Sequence, residues 1–230
     1  MVVRMAEELA HAREQQAWNK LSAFVLHDIK NAATMLSLLQ ENAPEHIHEP
    51  EFQQDMLELM DDALRRMGRV EKRLLTLKDE IEPNLQRLEL NQFLETCYHC
   101  LEVQLPKIAI QFKYTDEIQV ETDQERLFSI LENLLFNAFE AQGEGTIIRI
   151  KTSMDSDTKR ATIVIIDNGP GIKEELLPDI LFEPSKTSKK GGSGIGLWQA
   201  GKVLSSLEGS ISAQNTQQGG AQFTIKLPLQ

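Results

Sequence analysis

Several groups of residues have types and spacings that could do chemistry. His27 is followed at once by Asp28, with Lys30 three residues on and Asn31 four on. On a helix Asn31 lies one turn along from His27, on the same face. Imidazole is nucleophilic only when neutral, and its ordinary pKa near ~6.5 leaves most of it neutral at pH 7. Asp28 can take the proton from one ring nitrogen while the other attacks an electrophile. Further along, Asn133 and Asn137 stand four apart in ENLLFNA. Two amides on one face of an otherwise apolar helix need partners, and a metal ion with phosphate oxygens would supply them. Asp167-Asn168-Gly169-Pro170-Gly171 follows the apolar run ATIVII. An acid ending a buried strand can accept a hydrogen bond from an exocyclic amine such as that of adenine. Gly169 and Gly171 let the backbone turn sharply and approach a flat ring. Phe182 in LFEP leads into a stretch bearing Lys186, Thr187, Lys189 and Lys190, then Gly191-Gly192-Ser193-Gly194-Ile195-Gly196-Leu197 at the head of a helix. Glycine-rich backbone before a helix N-terminus cradles phosphate. It is neither a Walker A loop nor a dinucleotide fingerprint. Taken singly, each group also has a plain structural reading: an incidental histidine, satisfied core asparagines, a strand-ending turn.

The elements that must position these groups differ between the two halves. From Glu7 to about Glu41 nothing breaks a helix, and Pro44 and Pro50 bracket an interruption. Trp18, Ser22, Val25, Ile29, Ala32, Leu36 and Leu39 recur in alternating steps of four and three, a heptad seam with His27 on the outer side. Met56, Met60, Ala63, Met67, Val70, Leu74 and Leu77 repeat the pattern. Two such helices read as a hairpin whose stripe is half exposed when alone, so pairing with a second copy into a four-helix bundle is expected. Glu82-Pro83-Asn84 ends this half, giving expected domains 1–82 and 83–230. Beyond it, strands are expected at Gln86–Leu90, Lys107–Tyr114, Ile147–Thr152, Ala161–Asp167, Gly209–Asn215 and Ala221–Leu227. Helices are expected at Asn91–Leu105, Gln124–Gln142 and Leu197–Leu207. Thr122 and Glu125 are spaced as a capping box, with Asp123 near the positive end of the middle helix. The fold class is therefore α+β in two domains: an antiparallel hairpin forming a dimeric bundle, then an α/β sandwich.

Composition sets bounds on partners. The 230 residues carry a net charge of −11, which argues against nucleic acid or an anionic membrane surface as a partner. It also means that a polyphosphate site needs local cations or a metal, and Lys186, Lys189 and Lys190 lie where they could supply them. Hydrophobic residues at 41% and charged residues at 26% fit a globular chain rather than disorder. No apolar run approaches a membrane span or a signal peptide. Cys97 and Cys100 are the only cysteines, which fits a reducing cytoplasm and leaves no partner pair to complete a zinc site. His46 and His48 are too sparse to read as metal ligands.

The ordered clusters of the second half resemble the N, G1, F and G2 boxes of the GHKL superfamily of ATP-binding domains. The first half, around FVLHDIKN, resembles the H-box of a sensor histidine kinase, in the HDxKN subgroup. The resemblance implies ATP with Mg²⁺ held by Asn137, Asn133 at the phosphates, Asp167 at adenine with Gly169 and Gly171 shaping its pocket, and a mobile lid from Phe182 to Gly194. It implies autophosphorylation of His27, assisted by Asp28, and transfer to an aspartate of a response regulator receiver domain, with Asn31 serving the reverse hydrolysis. A homodimer follows, as does an upstream sensor region, membrane-anchored in some relatives, preceding the helix end before Trp18. Two residues depart from the family pattern: Glu140 stands where many members carry a base, and Ala32 replaces a proline after Asn31. They keep open two other readings, a non-catalytic docking module with a degenerate ATP site and a GHKL conformational ATPase.

Overall fold

The computed structural model describes residues 2–75, 82–105, 108–184, 186–187 and 194–229. The chain divides into two compact units, Met1–Ile81 and Glu82–Gln230.

The first unit is a hairpin of α1 (Val2–His46) and α2 (Pro50–Leu75). Helix α1 continues through Pro44, where an interruption was expected. Proline lacks only its own N–H, and in the last turn that loss breaks no long ladder; Ile47 N–H still reaches Ala43 O at 3.0 Å. Pro50 opens α2 at the first helical position, where a missing N–H and a fixed φ are tolerated. The seam resolves into two sets. Val25, Ala32 and Leu39 of α1 are buried together with Ala63 and Val70 of α2. The alternate positions Ile29, Leu36, Met60 and Met67 stay 38–43% exposed, beside the more open Leu26, Leu57 and Leu64. A single hairpin thus buries one of its two apolar rows. Trp18, Leu74 and Leu77 fall outside the described side chains.

The second unit holds β1 (Gln86–Glu89), α3 (Leu90–Leu101), β2 (Ala109–Lys113), β3 (Gln119–Thr122), α4 (Gln124–Gln142), β4 (Ile147–Asp155), β5 (Arg160–Asp167), α5 (Gly196–Ser206), β6 (Ser210–Asn215) and β7 (Ala221–Pro228). The five-stranded sheet runs β2-β4-β5-β7-β6, parallel only between β2 and β4, while β1 and β3 form an antiparallel ribbon. Strands bury every second residue: Ile148 and Ile150 on β4, Ala161, Ile163 and Ile165 on β5, Phe223, Ile225 and Leu227 on β7. These join one core with Leu94, Cys97 and Leu101 of α3, Leu127, Leu131, Leu134 and Leu135 of α4, and Leu204 of α5. Asn91 is pinned inside by accepting from the Thr152 hydroxyl at 2.7 Å and donating to Asp116 O at 2.7 Å.

Besides shifts of a few residues at strand ends, such as β4 running to Asp155, three features differ from expectation. Helix α3 ends at Leu101, short of Leu105, because residues 102–105 turn instead. Strand β3 was missed, since QVET is too short to show a period. The capping box is absent: Asp123 is the N-cap of α4, its Oδ1 accepting from Arg126 N–H at 3.1 Å, while the buried Thr122 hydroxyl has no hydrogen-bond partner among the described residues. Cys97 and Cys100 do not behave as a pair, for Cys97 is buried and Cys100 exposed. Burial, with Cys100 nearby, pushes the Cys97 thiol up to about 12.

Candidate functional site

Asp167 follows from the pleat. It has the same parity as Ala161, Ile163 and Ile165, so its carboxylate points to the helix-covered side of the sheet at the end of β5 and is itself buried. Its Oδ1 accepts from Gly169 N–H at 2.8 Å and from Ala221 N–H at 3.0 Å. Those two donors hold one oxygen and orient the carboxylate, and the other oxygen has no hydrogen-bond partner among the described residues. Gly171 takes φ +80°, a turn that favours glycine. Beside it Asn168 accepts from Ile147 N–H at 2.8 Å and donates to Gly145 O at 3.1 Å, fastening the turn to the start of β4.

Asn133 and Asn137 lie on the same face of α4, 3.5 Å apart from Asn137 Nδ2 to Asn133 Oδ1. The Nδ2 of Asn133 is buried with no hydrogen-bond partner among the described residues. An orphan buried donor is costly unless a ligand oxygen meets it. The head of α5 explains how one could: Gly196 comes so close that a Cβ there would lie 2.5 Å from Asn133 Oδ1. Among the described residues no side chain caps α5, whose N-cap is Ile195, so its first amides join the orphan amide at one place. This donor set suits phosphate oxygens, and an asparagine carbonyl beside it suits a hard cation.

The remaining expected residues are placed as follows. Phe182 sits half-buried in a short turn, Ile180–Phe182, and packs on the core, so the start of the expected lid is anchored. Lys186 and Thr187 are exposed; Gly194 is described with φ +63°, and Leu197 packs against the core. Lys189, Lys190, Gly191, Gly192 and Ser193 lie outside the described residues. Glu140 is exposed on α4. Residues missed in the sequence are Asn215 and Ala221, whose contributions come from a strand end and a backbone N–H and leave no motif.

In the first unit, His27 projects from α1 with 67% of its side chain exposed. Asp28 Oδ1 is 3.8 Å from its Nδ1, and Asn31 Nδ2 lies 3.2 Å from Nδ1 and 3.4 Å from Nε2. The structure therefore brings the acid and the amide to the same ring. Lys30 is exposed, and its backbone carbonyl accepts from the Thr34 hydroxyl at 2.9 Å. Among the described residues no helix is long and apolar enough to cross a membrane.

Known proteins resemble this chain in sequence and fold. Residues 122–230 match the family model "Histidine kinase-, DNA gyrase B-, and HSP90-like ATPase" and belong to that ATP-binding class. With the hairpin before it, the chain resembles the catalytic cores of sensor histidine kinases. It is 28% identical to the sensor histidine kinase ZraS of Salmonella typhimurium over 93% of this chain and 46% of that protein. Identity to the signal transduction histidine-protein kinase AtoS of Escherichia coli is also 28%, over 96% of this chain and 36% of that protein. The chain thus spans about half, or less, of the length of the relatives it matches. Among solved structures, the catalytic domain of histidine kinase ThkA is 29% identical with a TM-score of 0.57, covering 64% of this chain and 96% of its own. A structure of ThkA in complex with response regulator protein TrrA shares the fold over 99% of this chain and 66% of its own, at 23% identity and a TM-score of 0.72.

Proposed function

We propose that this chain transfers the γ-phosphoryl group of ATP to His27 and then passes it to an aspartate on a response regulator receiver domain. The observation that carries the reading is the exposed His27 ring flanked by Asp28 and Asn31, in a chain whose other unit gathers orphan donors and an oriented buried carboxylate. Adenine would rest against Asp167 with Gly169 and Gly171 alongside. The phosphates would meet Asn133 and the head of α5, with Lys186, Thr187, Lys189 and Gly192 of the lid segment supplying further contacts. Mg²⁺, which Asn137 would hold, supplies charge neutralisation at the phosphates.

At His27 the two neighbours share the ring: Asn31 Nδ2 lies 3.2 Å from Nδ1 and 3.4 Å from Nε2, within donating reach of whichever nitrogen carries no proton. Turning the ring toward Asp28 closes the 3.8 Å gap and lets Nδ1–H donate to the carboxylate. Nε2 is then the free base: its bond to phosphorus forms, the bond from phosphorus to the bridging oxygen of ADP breaks, and Asp28 takes the Nδ1 proton. Phosphohistidine donates the group to the receiver carboxylate, and Asn31 positions a water for hydrolysis of that acyl phosphate. The exposed row of Ile29, Leu36, Met60 and Met67 supports a homodimeric four-helix bundle, since a second hairpin would cover it. The ThkA–TrrA complex supports a receiver as the partner.

Incubation with γ-labelled ATP tests the reading. Acid-labile, base-stable label should appear, fall steeply in Asp28→Asn, and vanish in Asn137→Ala or when EDTA removes divalent metal. Nucleotide affinity that is indifferent to EDTA would contradict the assignment of Asn137.

A further inference from the structure

The carboxylate that faces the base is set by its surroundings, and those surroundings converge on one residue outside every recognised motif. Asn215, the last residue of β6, donates its Nδ2 to Ile172 O at 2.7 Å and accepts from Ile172 N–H at 2.7 Å. One side-chain amide thereby satisfies both backbone groups of a loop residue, as a strand partner would. Its Oδ1 also fills the space beside Gly171, 2.8 Å from where a Cβ would lie. Asn215 pairs with Ala221 across the β6–β7 hairpin, and Ala221 N–H holds Asp167 Oδ1 at 3.0 Å. At Gly220 a Cβ would come 2.1 Å from Asp167 O, so the hairpin is pressed against the start of the same loop. The Asp167–Ile172 loop is therefore gripped at both ends by one hairpin: at Asp167 by a backbone N–H, at Ile172 by the Asn215 side chain.

We propose that Asn215 is the positioning residue of the base pocket, locking the Asp167–Ile172 loop to the β6–β7 hairpin so that the free oxygen of Asp167 and the glycine backbone are pre-set for adenine. The inference rests on the reading of Asp167 as the adenine acceptor. Asn215 contacts no nucleotide itself and acts through the loop. Without it, water takes over the exposed hydrogen bonds of Ile172, and the loop loses its fixed distance from the sheet. Base recognition then weakens, while the triphosphate end, built on α4 and α5, is untouched. Aspartate at 215 still accepts from Ile172 N–H but opposes Ile172 O with a second acceptor, so it keeps half the clamp.

Calorimetric titration of the whole chain with Mg·ATP and Mg·GTP tests this on wild type, Asn215→Ala, Asn215→Asp and Asp167→Asn. Asn215→Ala should weaken ATP by roughly tenfold and leave GTP within about twofold, collapsing the preference for adenine. Asn215→Asp should fall between it and wild type, and covers the case in which the alanine variant does not fold. Equal weakening of ATP and GTP marks mere loosening of the fold and overturns the proposal. So does unchanged ATP affinity in both variants when Asp167→Asn has lost it. Full ATP affinity in Asp167→Asn overturns instead the reading on which the proposal stands.

Discussion

At the scale of single residues, chemistry here depends on which atoms are left over after the fold has used the rest. Asp167 gives one oxygen to Gly169 and Ala221 and keeps the other; Asn133 keeps a buried donor with no partner. The identities of these residues were legible in the sequence because acid, amide and glycine at those spacings have few other uses together. Asn215 was not, because an asparagine ending a strand looks like any turn residue, and its role appears only when β6 is brought beside Ile172. Cys97 and Cys100 show the reverse case, in which a suggestive spacing has an ordinary outcome. With its thiol raised to about 12 by burial and exposed Cys100 close by, Cys97 should resist iodoacetamide at pH 8 while Cys100 reacts. Peptide mapping after alkylation of the native protein reads this directly, and a modified Cys97 would contradict its packing.

Elements carry the next level. Helix α4 was legible from end to end, since its apolar period, its acidic start and Gly143 after it agree. Its cap was misassigned because sequence cannot say which of Thr122 and Asp123 leaves the strand first; β3 claims Thr122 by pairing it with Gln86. Replacing the true cap, Asp123→Ala, should cost about 1–2 kcal/mol of stability in urea titrations, while Thr122→Val, whose hydroxyl has no partner, should cost little. Close approach of α5 to α4 makes a sharper prediction. In Gly196→Ala the new Cβ would meet Asn133 Oδ1 at 2.5 Å, so the Asn133 carboxamide must swing away. Melting temperature should change by only a few degrees, because a side chain can give way. ATP affinity should fall roughly tenfold, about 1.4 kcal/mol, when measured by titration. Strand β3 escaped notice for a physical reason: at four residues its identity is set by pairing with β1, a contact made across more than thirty residues of chain.

For the whole molecule, the sequence shows two halves of different period, and the structure has two compact units, Met1–Ile81 and Glu82–Gln230. It also showed that one hairpin cannot bury its own stripe. Met60→Glu together with Met67→Glu would place like charges on the row left 43% exposed at both positions. Sedimentation should find the wild type as a dimer and this variant as a monomer with an intact second unit, judged by unchanged ATP binding. A wild-type monomer would contradict the bundle. In a chain of net charge −11, phosphate binding of the kind proposed would fall to local donors: the orphan amide, the head of α5 and exposed Lys186. All of this converges on one imidazole. The most direct measurement is mass-spectrometric mapping of the protein after incubation with ATP and Mg²⁺, with digestion and separation kept alkaline so that a phosphorus–nitrogen bond survives. Phosphoryl mass on the peptide carrying His27, and its absence in His27→Gln, is the predicted result. Phosphoryl transfer that persists in His27→Gln, or that maps to another residue, would contradict the account.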